Sequence, residues 1–161
     1  MNALPDTLDL EARAHSEHAQ ALRLWLRLLT CSQLIEKRVR TSLRAQFDTT
    51  LPRFDLMAQL ERHADGLKMK ELSQRLMVTG GNVTGITDQL VAEGLVERMA
   101  VEGDRRAFLV RLTPAGRDAF ERMAVQHEQW IVQAFAGLSA RELEQLHKLL
   151  GKVKQHQLDI E

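Results

Sequence analysis

Between Leu67 and Gly116 the spacing of apolar residues changes twice. Leu72 and Leu76 fall on one face of a first short helix. Val83, Ile86, Leu90 and Val91 fall on one face of a second, at steps of three and four. Met77-Val78-Thr79 reads as the turn between them, with Thr79 suited to cap the second helix. After Gly94 the period becomes two, which predicts strands over residues 95–101 and 107–112. Glu102, Gly103, Asp104, Arg105 and Arg106 form the expected hairpin tip. Thr113-Pro114 opens a further helix, with Pro114 at the first helical position, where a missing N–H costs nothing.

Long helical patterns flank this stretch. Residues 16–47 hold no Gly or Pro, and Leu22, Trp25, Leu26, Leu29, Leu34, Val39 and Leu43 wrap around more than one face. Such a helix is expected to be buried between elements or subunits. A second helix starts with the run Leu51-Pro52-Arg53-Phe54-Asp55, Pro52 near its first turn, turns Phe54, Met57, Ala58 and Leu60 inward, and ends near Ala64 ahead of an Asp65-Gly66 turn. Residues 114 to about 135 form another helix through Phe120, Met123, Trp130 and Ile131, broken by Gly137. Ser139 with Glu142 is a capping box, and the last helix runs to about Gln157 through Leu143, Leu146, Leu149, Leu150 and Val153. Residues 1–15 read as a loose arm. The expected class is mainly α with a small β wing.

Helix, turn, helix and hairpin in that order make the winged form of a DNA-reading motif. The second helix opens on small residues, Thr79, Gly80, Gly81, Asn82, Thr84 and Gly85, which let it sit deep in a major groove. Asn82, Thr84 and Thr87 are the side chains able to bond base edges. Arg105 and Arg106 suit a minor groove or phosphates. Lys68 and Lys70, and Asp104 beside the arginines, complete the candidate interface. The plainer alternative is a common structural module whose glycines mark only a loop.

Composition narrows the partners. The chain has 161 residues, 44% hydrophobic and 27% charged, an ordinary balance for one domain with a real core. No apolar run approaches the length of a membrane span, and Asp6, Asp9 and Glu11 stand where a signal peptide needs positive charge. A cytoplasmic location is expected. The net charge is +0, and from Leu51 to Arg117 ten cations face nine acids. Phosphate contacts supply most non-specific affinity, so one copy is expected to bind weakly and two copies on a palindrome to supply the rest. Some acids are candidates for internal partners, Asp88 near the wing base among them.

The stretch resembles the MarR family of bacterial transcriptional regulators. The carrying residues are Glu71-Leu72-Ser73 with Leu76, Asn82-Val83-Thr84 with Leu90, and the run from Glu93 to Arg98. The most specific piece is Asp104-Arg105-Arg106-Ala107 followed by Val110, Leu112, Thr113, Pro114 and Gly116. The resemblance implies one domain over residues 1–161: a winged-helix homodimer whose terminal helices, residues 16–50 and 114–157, interlock around DNA-binding regions at 51–113. It implies a short strand at Leu67 beside the wing. It also implies a double-stranded operator as partner and repression relieved by a small molecule or an oxidant. Lys68 stands where the family often has a capping Ser or Thr, and Gly85 where many members carry Arg. Base reading then shifts toward the backbone, Asn82, Thr84 and the wing.

In the family, small aromatic acids sit between the long first helix, the second helix and the motif. Here that region offers Trp25, Leu28, Ser32, Phe54 and Met57, with Arg23, Arg27 and Arg38 nearby. The runs at residues 22–29 and 49–55 resemble the subgroup answering to aromatic acids and hydroxycinnamoyl-CoA thioesters. Ordinary core packing is the alternative for Trp25, Phe54 and Met57. Arg23, Arg27, Lys37, Arg38, Arg40, Arg44 and Arg53 face only Glu36 and Asp48, which is either a solvated face or an anion site. Cys31 raises oxidant sensing as a rival, but it lies in an apolar helix, where a thiol is usually inert, and the chain has no Tyr. His15 and His18 share a helix face, yet no HxxxH pair occurs, so neither metal nor cofactor is expected. No phosphate loop, nucleophile elbow or acid cluster argues for an enzyme. A helical protein-interaction module would explain the long helices but not Asp104-Arg105-Arg106 on a hairpin.

Overall fold

A computed structural model describes residues 19–76, 82–101 and 103–160, with the backbone alone over 104–107. The elements are α1 (Ala19–Phe47), α2 (Leu51–Glu61), β1 (Leu67–Lys68), α3 (Met69–Arg75), α4 (Val83–Ala92), β2 (Val96–Val101), β3 (Asp104–Leu112), α5 (Pro114–Ala134) and α6 (Ala140–Ile160). They divide into two units, one ending at His127 and one beginning at Glu128. The expected arm and the start of the first helix at Ser16 lie outside the described residues, as do Thr79, Gly80 and Gly81.

In the first unit Leu43, Leu56, Met57, Leu60, Leu72, Leu90, Val96 and Val110 are fully buried, so α1 to α4 and the sheet share one core. The sheet order is β1-β3-β2, all antiparallel. Leu67 pairs with Val110 and Lys68 with Leu109, which gives the short strand expected beside the wing. Gly66 makes the turn into it at φ +93, and a Cβ there would come within 2.9 Å of the Val110 carbonyl oxygen.

Four boundaries differ from the sequence reading. The second helix ends at Glu61 rather than Ala64, with Arg62 as C-cap. The motif's second helix begins at Val83 with Asn82 at the N-cap position, three residues after Thr79. The hairpin turns at Gly103, which adopts φ +85 and lets Val101 pair with Asp104. Asp104, Arg105 and Arg106 therefore belong to strand β3 and not to a loose tip. The last helix runs to Ile160, three residues past Gln157.

Burial of α1 is also uneven. Val39 and Leu43 are core, whereas Leu22, Leu24 and Trp25 are exposed. The burial expected around more than one face is confined to a narrow stripe: Thr30, Val39 and Leu43 are buried, Leu26, Leu28 and Leu29 are half-buried, and the rest of the helix is mostly exposed. In the second unit Ser139 and Glu142 form the anticipated box. The Ser139 N–H donates to Glu142 Oε2 at 2.8 Å, and the Glu142 N–H to Ser139 Oγ at 3.4 Å. None of α6 is buried, and Leu143, Leu149, Leu150, Val153, Leu158 and Ile160 form an exposed apolar series.

The end of α4 is joined to the start of α5. Gly94 at φ +72 closes α4 with N–H bonds from Gly94 to Val91 and from Leu95 to Leu90, the Schellman pattern. The Thr113 hydroxyl donates to the Gly94 carbonyl at 2.7 Å and accepts the Gly116 N–H at 3.0 Å, so it caps α5 while holding the α4 terminus. The Thr113 N–H donates to the Leu95 carbonyl at 3.1 Å. A Cβ on Gly116 would overlap that same Leu95 carbonyl. Alanine at an ordinary helix position is favoured over glycine by about 1 kcal/mol. Gly116→Ala should do the reverse and cost about 1–3 kcal/mol through overpacking. Urea unfolding checks this, and an unchanged or raised midpoint would refute the close approach.

Phe54 joins α2 to α5, stacking on Phe120 at 5.4 Å and lying against His127 at 4.7 Å. Burial pulls the His127 pKa below its ordinary 6.5. Below pH 6.5 the unfolded chain takes up a proton that the folded chain resists, so this group's contribution falls as pH drops until the lowered folded value is passed. Asp55 has the opposite sign, raised first by burial and then by Glu36, against Arg40, but its window opens nearer 3.8. His127→Phe should therefore lessen the loss of thermal stability between pH 7.5 and about 5.5. An unaltered loss would show that His127 does not titrate there.

Candidate nucleic-acid interface

The outward face of α4 is polar and carries no cation. Asn82, Thr84, Asp88 and Gln89 are exposed, while Val83, Ile86 and Leu90 anchor the inner face. Thr87 departs from expectation. It is 0% exposed, and its hydroxyl donates to the Val83 carbonyl at 2.8 Å. It sits one position after Ile86 on the core side and cannot reach a base. Gln89, seven residues beyond Asn82, takes the outward place instead. The i to i+7 spacing from Asn82 was the available signal, and a Gln amide can bond adenine at two points.

Gly85 has a local reason. A Cβ there would overlap Asn82 Oδ1, so the bare position lets the Asn82 amide lie across the first turn of α4. Lys68 and Lys70 are both exposed around the start of α3. Lys68 is the N-cap and its side chain has no acceptor. Glu71 supplies the return half of a capping box, accepting the Lys68 N–H at 2.9 Å.

Acids account for much of the local charge. Asp88 pairs with Arg98, tying α4 to β2 as anticipated from the order of the chain. Glu97 pairs with Arg111 across the β2–β3 ladder at 2.6 Å. Arg53 on α2 grips Glu93 at the C-cap of α4. Glu93's carboxyl is held below its ordinary range, first by the hydrogen bonds from Arg53. The backbone of Asp104, Arg105 and Arg106 lies at the open end of β3, beyond the part of the strand that pairs with β1.

The predicted ligand residues are not gathered into one cavity. Trp25 is 55% exposed, and Arg23, Arg27, Ser32 and Arg38 are exposed along α1, with Leu28 half-buried. Phe54 and Met57, at 5% and 1%, are core instead, as the packing alternative held. The basic run on α1 and α2 is partly neutralised: Arg40 bonds Glu36 at 2.9 Å, Arg44 lies 3.3 Å from Asp48, and Arg53 holds Glu93. An open groove of about 570 Å³ lies elsewhere, lined by Phe47, Asp118, Glu121, Arg122, Val125 and Gln126. Cys31, expected in apolar surroundings, is exposed. Among the described residues no cluster of His, Cys, Asp or Glu could hold a metal ion, and no helix is long and apolar enough to cross a membrane.

Two short helices against a three-stranded sheet, with the second helix presenting a polar face beside the hairpin, define a winged helix-turn-helix protein. Residues 47–107 match the model of the MarR family. A crystal structure of a MarR family transcriptional regulator from Silicibacter pomeroyi superposes with a TM-score of 0.74 at 30% identity, covering 89% of this chain and 99% of that one. The chain belongs to the MarR family. A mutant MarR from E. coli, complexed with operator DNA, gives a TM-score of 0.72 at 26% identity, over 86% of this chain and 99% of that one. The uncharacterised HTH-type transcriptional regulator YkoM of Bacillus subtilis is 34% identical over 89 residues, 55% of this chain; the match spans 58% of YkoM's own length.

The geometry separates Thr87 from its neighbours. Asn82→Ala and Gln89→Ala should each weaken binding to a selected duplex about tenfold, the size of one base contact. Thr87→Val should leave it within about twofold, since only a buried hydroxyl is replaced. Fluorescence anisotropy decides, and a Thr87 effect as large as that of Asn82 would contradict the inward orientation.

Proposed function

We propose that this chain is a transcriptional repressor that binds a palindromic DNA operator as a homodimer and is released by a small aromatic acid or its CoA thioester. The observation that carries the DNA reading is the cation-free, hydrogen-bonding face of α4 set beside a hairpin whose open end carries Arg105 and Arg106. It divides the labour of binding: Asn82, Thr84 and Gln89 read base edges, and the wing arginines with Lys68 and Lys70 hold phosphates. The operator complex of the E. coli relative supports the same use of the fold.

Dimerisation follows from the uncovered apolar residues. Leu22, Leu24 and Trp25 on α1, and the α6 series from Leu143 to Ile160, form surfaces that a lone chain leaves in water. A second copy of the chain covers both. It also brings two α4 helices to successive major grooves, which compensates for the neutral net charge. The effector site is then completed at that junction, where Trp25, Leu28 and Ser32 supply an apolar wall and Arg23, Arg27 and Arg38 supply cations for a carboxylate or thioester phosphates. Ligand favours a dimer whose reading helices no longer match the groove spacing. The exposure of Cys31 favours a second reading, release by an oxidant, in which Cys31→Ser would abolish the response.

The test is a mobility shift on DNA upstream of the chain's own gene, with hydroxycinnamic acids, their CoA thioesters and benzoates as the ligand panel. A shift abolished by one compound is expected. A shift that no compound alters, or activation of the bound promoter in transcription assays, overturns the ligand-released repressor. Arg105→Ala should weaken binding and lower the salt slope by about one for each phosphate no longer held. An unchanged slope would remove the wing from the phosphate backbone.

A further inference from the structure

The α4 helix is held at its C-terminal end by a contact that the reading of bases does not itself require. Arg53 stands in the first turn of α2, just after Pro52, and its side chain is only 17% exposed. Its Nη1 donates to Glu93 Oε1 at 2.8 Å, and its Nη2 bonds Glu93 Oε2. Two parallel bonds from a planar fork fix direction as well as distance. Glu93 is the C-cap of α4, immediately before the Gly94 turn that Thr113 holds from α5. Arg53 Nε is buried without a partner. The guanidinium is thus committed to Glu93 through its terminal nitrogens, and loss of that carboxylate would leave a largely buried cation unpaired.

We propose that the Arg53–Glu93 pair is a positioning clamp that sets the tilt of α4 against α2, and so governs discrimination between DNA sequences without touching DNA. Among the described residues three polar contacts then hold the reading helix and its C-terminal turn: the Arg98–Asp88 pair from the wing, the Thr113 hydroxyl just ahead of α5, and this clamp from α2. The clamp is the only one of the three that begins on α2, whose Phe54 lies next in sequence and packs on Phe120 and His127 of α5. A shift of α2 relative to α5 therefore passes to α4 through adjacent residues. The inference rests on the DNA-binding reading above for its functional consequence, but the clamp itself is open to measurement without DNA.

The experiment uses the full chain, a duplex selected by the wild type from random DNA, and a scrambled duplex of equal composition. Glu93→Gln alters a half-exposed side chain and keeps the residue's size; Arg53→Lys keeps the charge and removes the fork. Each should lower affinity for the selected duplex about tenfold, the size of one charge-assisted hydrogen bond. Affinity for the scrambled duplex and the salt slope should stay unchanged. Equal losses on both duplexes with a lower salt slope would make Arg53 a phosphate contact and overturn the clamp. So would unchanged affinity for both. Hydrogen exchange on the free protein supplies the second readout: amides of the last turn of α4 should exchange faster in Glu93→Gln than in wild type, and equal rates overturn the clamp. If the wild type selects no DNA, the DNA reading fails, and the exchange result still decides whether the clamp exists.

Discussion

The Leu95 carbonyl is the point on which the first unit turns. It accepts the Thr113 N–H, and it lies so close to α5 that position 116 has no room for a side chain. Because Thr113 also binds the Gly94 carbonyl and caps α5, a reading helix, a wing strand and a long helix meet at one small set of hydrogen-bonding groups. The alternation that buries Val96, Val110 and Leu112 in the sheet and the helical spacing that buries Ile86 and Leu90 are thereby kept in one frame.

Elements with long, regular patterns were legible in the chain. The helix opening at Pro114, the Ser139–Glu142 box and the antiparallel wing follow from period, capping chemistry and turn residues, whereas the strand at Leu67 came only from the family resemblance. Boundaries set by single backbone angles were not. Placing Asp104, Arg105 and Arg106 in a strand depends on Gly103 at φ +85, which a sequence permits but does not require. Thr87 was misread because a hydroxyl serves equally well for a base edge or for its own helix, and its neighbour Ile86 left one position of ambiguity about where the core side ends. The effector residues illustrate a different limit. Phe54 and Met57 are core inside one chain, whereas Trp25 is more than half exposed there, and periodicity along α1 cannot distinguish burial by the same chain from burial by another.

Charge was informative once its pairing was known. A net charge of +0 looks unsuited to a polyanion, but three acids around the motif are engaged within the fold. Asp88, Glu97 and Glu93 meet Arg98, Arg111 and Arg53. These pairs are exposed to differing degrees, and such contacts add little to global stability. Each joins two elements of the motif: α4 to β2, β2 to β3, and α2 to the end of α4.

The bare first turn of α4 has a further consequence. From Val83 to Ala92 the helix has no lysine or arginine, so under the proposed function its contribution to binding gains nothing from counterion release and is insensitive to salt. Grip and choice then become separable properties. Ionic strength would act on the wing and the α3 lysines while leaving the preference for one base pair over another nearly intact. For a lineage of such regulators this is an evolutionary freedom: exchanges at Asn82, Thr84 or Gln89 can redirect the protein to new promoters without first rebuilding its hold on the double helix.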